Sequence, residues 1–148
     1  MKPLINLLLA TAALCTQAAG SPLPENSDKL ASNTIVAEYV ETKEKPCMFM
    51  TALCPDRCGH GTRLAYFKVL ANESYERPGK YGDDKIEPGS FATIDVQKDI
   101  PGQSSEIAAA VSRLHPGDKV RFTITHYYTK TEQLHTPVRP VVQFETLR

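Results

Sequence analysis

The stretch CMFMTALCPDRCGH, residues 47–60, holds three cysteines and one histidine close together in the chain. Cys47, Cys54, Cys58 and His60 have the spacing C-x6-C-x3-C-x-H. Three thiolates and one imidazole are a common ligand set for tetrahedral Zn²⁺ in proteins. These side chains are therefore candidate metal ligands, although their spacing is not that of a standard zinc finger or ribbon.

The residues next to the four candidate ligands bear on the shape of the site and on the choice of metal. Gly59 and Gly61 flank the histidine and allow left-handed backbone turns around one ion. Met48 and Met50 add thioethers, and soft sulfur with imidazole also suits Cu⁺. Methionine commonly fills irregular gaps, so we interpret the two as apolar filler under the loop and favour zinc over Cu⁺.

A disulfide is the alternative to a metal in this stretch. Two of the three cysteines would then form a disulfide that closes the loop, and the third would remain a thiol. A disulfide of this kind stabilises a fold by ~2–4 kcal/mol. The odd thiol count and the adjacent His60 favour the metal. The sequence leaves both possibilities open.

The start of the chain has the pattern of a secretory signal peptide. Lys2 precedes an apolar run through Leu14, and small residues follow up to Gly20, where we expect cleavage. The run is too short for a membrane span. Cys15 raises the alternative of a lipoprotein anchor, which Leu14 disfavours because processing normally requires a small residue there. The protein is predicted to be exported, to a periplasm or outside the cell.

Cleavage would change both the charge and the cysteine count. The mature chain would carry 16 basic and 17 acidic residues, because Lys2 is lost from the 17 basic residues of the full sequence. Such a balance disfavours nucleic acid as a partner. Loss of Cys15 would leave three cysteines, an odd number for an oxidising compartment.

The mature chain has mostly strand-like patterns. Residues 21–33 are rich in Pro, Ser, Asn and Asp and are predicted to form a flexible leader. Alternating or β-branched segments then predict five strands. These strands cover residues 34–42, 63–70, 91–97, 119–129 and 138–147.

One helix is predicted between the third and fourth strands. Ser104 and Ser105 are candidate N-caps, apolar residues follow at helical spacing, and Pro116-Gly117 ends the segment. Three strands, a helix and two strands are the order of the OB-fold, a five-stranded Greek-key barrel. We therefore expect one OB-fold-like domain over 34–148, with another small β-barrel or an α+β sandwich as the alternative.

The barrel order would bring a second histidine to the cysteines. In such barrels the loops after the first and fourth strands lie at one binding surface. The first of these loops is 43–62, and the fourth strand ends in His126-Tyr127-Tyr128. His126 is therefore a fifth candidate ligand.

Three segments resemble parts of small exported bacterial proteins of uncharacterised role that have a CPDxCxHG loop. The segments are CPDRCGHG (54–61), PGKYGDDK (78–85) and GDKVRFTITHYY (117–128). The resemblance covers most of the mature domain and implies a bacterial envelope setting. It assigns no catalytic residue.

Taken together, these patterns favour a small exported metal-binding protein with a structural or metal-handling role. The alternative is a disulfide-stapled module that binds a peptide, glycan or small ligand through Tyr127 and Tyr128. The cysteines lack the C-x-x-C spacing of thioredoxin-like motifs. Nucleophile elbows, phosphate-binding glycine loops and paired catalytic carboxylates are also missing from the sequence, so we expect a non-enzyme.

Overall fold

The computed structural model describes residues 20–49, 51–54, 57–132 and 135–148. The predicted signal peptide, with Cys15, falls on residues outside these ranges, and so does Met50. Within the described ranges, no helix has the length and apolar character needed to cross a membrane.

The order of elements follows the prediction, with one strand more. The elements are β1 (Ser27–Lys45), β2 (Thr62–Glu76), β3 (Phe91–Asp95), α1 (Glu106–Val111), β4 (Lys119–Lys130), β5 (His135–Val138) and β6 (Val141–Leu147). The additional strand, β5, precedes the predicted last strand (138–147), most of which is β6, and the break between them includes Pro140, which has no N–H to donate to a ladder. β1 begins at Ser27, so residues 27–33 belong to the sheet and not to the predicted leader.

The strands form one antiparallel sheet in the order β3-β2-β1-β4-β5, and β6 also pairs with β4. Among the described residues, no pairing joins β3 to β5 or β6. The sheet is thus a curled half-barrel of six strands. The prediction of a mainly β fold with one helix is confirmed, whereas the five-stranded barrel that was expected is a half-barrel sheet of six strands.

The curl comes from irregular pairing along β1. The β1–β2 register shifts at three points, and the β1–β4 register shifts once, between Lys29 and Ala31. Such bulges bend a strand and increase its local twist. The bent strands wrap one face of the sheet around the core.

The core is centred on Phe67 of β2, which is fully buried. Its ring lies 5.1 Å from that of Phe122 and 5.5 Å from that of Tyr39, measured between centroids. α1 adds Ile107 and Val111 to the same cluster. Side chains from three strands and the helix therefore meet at one aromatic centre.

The loop between β2 and β3, residues 77–90, is fixed against the sheet by polar contacts. Asn33 Oδ1 accepts the backbone N–H of Ile86 at 3.0 Å and the amide of Asn72 at 2.7 Å. Gly82 lies so close to Leu30 that a Cβ there would be 2.2 Å from the Leu30 carbonyl oxygen. This position accepts only glycine unless the backbone shifts.

We expect Phe67→Ala to lower the free energy of unfolding by about 3–5 kcal/mol, because it removes the ring at the centre of the core. Phe91→Ala is the matched control, since Phe91 lies in the adjacent strand with 61% of its surface exposed. We expect a loss of roughly 0.5 kcal/mol or less for the control. Urea unfolding measures both, and equal losses would contradict the position of the core.

Candidate metal centre

The predicted ligand set converges in the structure. The ligand atoms of Cys47, Cys54, Cys58 and His60 all lie within 4.8 Å of one another. The β1–β2 ladder is the reason, since its last pair joins Lys45 to Thr62. The connecting loop, residues 46–61, therefore leaves and re-enters the sheet at one place.

The distances from the His60 nitrogen to two of the sulfurs are close to those around one tetrahedral ion. Cys47 Sγ and Cys54 Sγ each lie 3.8 Å from Nδ1 of His60. Bonds of ~2.3 Å to sulfur and ~2.1 Å to nitrogen in a tetrahedral zinc site place these atoms ~3.6 Å apart. The imidazole is thus at ligand spacing from both sulfurs.

The two sulfurs of Cys47 and Cys54 are closer together than in a zinc site. They lie 2.8 Å apart. Two thiolates on one zinc ion would be ~3.8 Å apart, whereas a disulfide has ~2.05 Å between its sulfurs. No disulfide joins the cysteines of the described residues. A metal would require this pair to separate by about 1 Å.

Thr51 fixes the position of Cys54 and was not among the predicted site residues. The Thr51 backbone N–H and hydroxyl lie 3.3 Å and 3.5 Å from Cys54 Sγ. The Cys54 N–H in turn donates to the Thr51 carbonyl oxygen at 3.1 Å. The available sequence signal is a threonine three residues before the cysteine, because a threonine hydroxyl can accept a backbone N–H two residues on in a turn, here that of Leu53 at 3.3 Å.

The thiols differ in how readily they ionise. Burial raises the pKa of Cys54, but hydrogen bonds from Cys47, Thr51 and His60 outweigh it and lower the pKa to about 5. The His60 N–H lowers the pKa of Cys58, yet burial and the two neighbouring cysteines together raise it to about 11. A bound cation would favour the thiolate at both, since cysteine binds metals as thiolate.

The cluster is enclosed on one side and open on the other. Cys47 is buried, Cys54 and Cys58 are half-buried, and His60 is exposed. Met48 is 77% exposed, so the interpretation of this residue as filler under the loop is wrong, and the neighbouring Phe49 is 75% exposed. Met50 lies outside the described residues. The site is accessible from the side of His60.

The expected approach of His126 to the cysteines is wrong. His126 pairs with Ala31 near the start of β1, whereas Cys47 follows the end of β1 at Lys45. Fourteen positions of strand separate Ala31 from Lys45, roughly 46 Å along the chain at about 3.3 Å per residue. Among the described residues, the ligand atoms that lie within 4.8 Å of one another do not include those of His126, whose Nδ1 instead accepts the backbone N–H of Asp83 at 3.2 Å. The prediction that His126 faces inward is confirmed, because its side chain is only 6% exposed.

Comparisons with protein-family models, with curated proteins and with solved structures found no match for this chain. The interpretation of the site therefore depends on its geometry and chemistry.

We expect Gly59→Ala to weaken metal binding and Gly61→Ala to leave it unchanged. Gly59 has a φ of +67°, a left-handed conformation that costs a residue with a Cβ about 1 kcal/mol. If the bound loop requires this conformation, zinc affinity should fall about fivefold. A Cβ at Gly61 would make only ordinary contact, 3.5 Å from the Lys45 carbonyl oxygen. Competition with a chromophoric zinc chelator measures both affinities. Equal affinities would show that the turn at Gly59 does not position the ligands.

Proposed function

We propose that this protein is a small exported zinc-binding protein, with Cys47, Cys54, Cys58 and His60 as the ligands. The observation that carries the proposal is the convergence of three sulfurs and one imidazole nitrogen within 4.8 Å. Such a set of ligands satisfies tetrahedral Zn²⁺ without a water or a further residue. Cu⁺ is a weaker candidate, because the exposure of Met48 gives no support for thioether ligation.

The role we propose is structural or metal-handling. Loop 46–61 contains no strand or α-helix among its described residues. A metal would connect Cys47, at the start of this loop, with His60 at its end, and binding free energy would stabilise the hairpin. The exposure of His60 supports a site that can also exchange its ion with the surroundings.

We also propose an OB-like fold for the domain. The pairings that support it are β1 with β2, β2 with β3, β1 with β4, and β4 with β6. These are the antiparallel pairings of an OB-type barrel that is open between its third and last strands. The position of α1 between β3 and β4 agrees with this proposal.

Export is proposed from the N-terminal sequence pattern and from the resemblance to exported bacterial proteins. In an oxidising compartment, thiols bound to zinc are protected because a thiolate held by the metal is not available for pairing. Three cysteines and a histidine that share one ion therefore suit such a compartment better than three unprotected thiols.

The disulfide-stapled binding module is the second candidate, and one observation favours it. The sulfurs of Cys47 and Cys54 already lie 2.8 Å apart. Binding through Tyr127 and Tyr128 has less support, because both side chains are half-buried beside β5. The experiment below separates the two candidates.

We expect one zinc ion per chain when the protein is purified from its native compartment without chelators. Elemental analysis gives the metal, and a thiol assay before and after chelation gives the state of the cysteines. Under the zinc proposal all three thiols react rapidly only after the chelator removes the ion. No metal, one free thiol and a mass lower by two hydrogens would identify the disulfide form instead.

We expect His60→Ala to lower zinc affinity by roughly ten- to a hundredfold or more, because it removes one ligand of four. His115→Ala is the matched control, since the His115 side chain is 87% exposed and outside the cluster. Cobalt substitution provides the readout through the sulfur-to-cobalt charge-transfer bands. If His60→Ala kept wild-type affinity, the fourth ligand would have to be another group.

A further inference from the structure

A second site lies on the face of the sheet that carries the core. It is a partly open cavity of about 380 Å³, within the size range of small-molecule sites. Most of its walls are apolar and include Leu64, Ile86 and Ile124. None of the four cluster residues lines it. The cavity and the metal centre therefore have no described residue in common.

His126 gives this cavity its one buried and unsatisfied polar group. The backbone N–H of Asp83 donates to His126 Nδ1 at 3.2 Å. Burial, followed by the charge of Arg139, lowers the pKa of His126 and favours the neutral ring, although Asp83 Oδ1, 3.1 Å from Nδ1, acts in the opposite direction. With Nδ1 accepting the Asp83 N–H, the neutral ring carries its proton on Nε2. Among the described residues, Nε2 has no hydrogen-bond partner. A buried donor without a partner costs about 1–3 kcal/mol, so its retention calls for an explanation.

The carboxylates of the cavity are already committed to other groups. Arg139 donates to both oxygens of Asp83, through Nε at 2.6 Å and Nη2 at 2.8 Å. Asp95 accepts the Thr62 hydroxyl at 2.7 Å and the backbone N–H of Lys98 at 2.8 Å. Among the described lining residues, the buried polar side-chain atom without a partner is Nε2 of His126, a donor in the neutral ring. A ligand that complements it must bring an acceptor.

The charges of the cavity also restrict its ligand. With His126 neutral, two carboxylates and one guanidinium line the walls, a net charge of −1. This net charge disfavours an anion. A cation gains little, because the Asp83 carboxylate is held by Arg139 on both oxygens. An uncharged ligand is the remaining class.

We propose that this cavity binds a small, mainly apolar, uncharged molecule through a carbonyl-type oxygen that accepts the Nε2–H of His126. Two of the three segments that resemble exported bacterial proteins meet here. PGKYGDDK supplies Asp83, and GDKVRFTITHYY supplies His126.

Acetophenone and ethylbenzene form a matched pair of probes for this proposal. They have nearly the same shape, and only acetophenone carries the accepting oxygen. We expect acetophenone to shift the backbone amide signals of Ala92 and Ile124 in ¹⁵N-labelled protein, and to shift the His126 Nε2–H signal. Ethylbenzene should bind roughly five- to tenfold more weakly, because it leaves the donor unsatisfied. This comparison uses the wild-type chain alone and does not depend on the metal content.

Two substitutions at His126 separate hydrogen bonding from shape. His126→Phe keeps a planar ring without a donor, so acetophenone should bind no better than ethylbenzene. His126→Gln presents an amide N–H near the Nε2 position and should recover part of the preference. His115→Phe is the control for a histidine that is exposed elsewhere. Shifts that avoid the cavity, or equal affinities of both probes for wild-type protein, would overturn the proposal.

Discussion

The antiparallel pairing of β1 with β2 is the constraint on which the metal centre depends. Because the ladder runs to Lys45 and Thr62, the chain positions two residues beyond each strand end are held side by side. Cys47 and His60 occupy those positions. The remaining two sulfurs reach them through a short loop with left-handed backbone conformations at Phe49 and Gly59. Local hairpin geometry therefore gathers the ligands without help from distant parts of the chain.

The same sheet places His126 in a different environment. β4 pairs with the first half of β1 and ends near its start, so His126 lies over the cavity and beside Asp83. Loop 77–90 closes this side of the sheet, and its glycines at 79 and 82 allow it to approach Leu30 closely. The metal centre follows the end of β1, whereas the cavity reaches from Ala31, near its start, to Leu64, which pairs with Lys43. Each can change its occupancy without a shared ligand residue.

Features that depend on residues close together in the chain could be predicted from the sequence. Features that depend on the register between paired strands could not. The Cys47–His60 cluster and the inward face of β4 follow from spacing and alternation, and both are found. The meeting of His126 with the cysteines required the pairing of β4 with β1, which alternation does not determine. Sequence patterns assigned no site role to Asp83 or Arg139, because their ion pair joins residues 56 positions apart. Thr51 lies within the predicted loop, but its contacts with Cys54 Sγ could not be predicted without the geometry of the turn.

The central claim is that one zinc ion joins the three sulfurs and His60. X-ray absorption at the zinc edge, on protein purified from its native compartment, tests it most directly. The account predicts three sulfur neighbours at ~2.3 Å and one nitrogen at ~2.1 Å. A coordination shell of nitrogen and oxygen alone, or protein that contains no zinc, would contradict it.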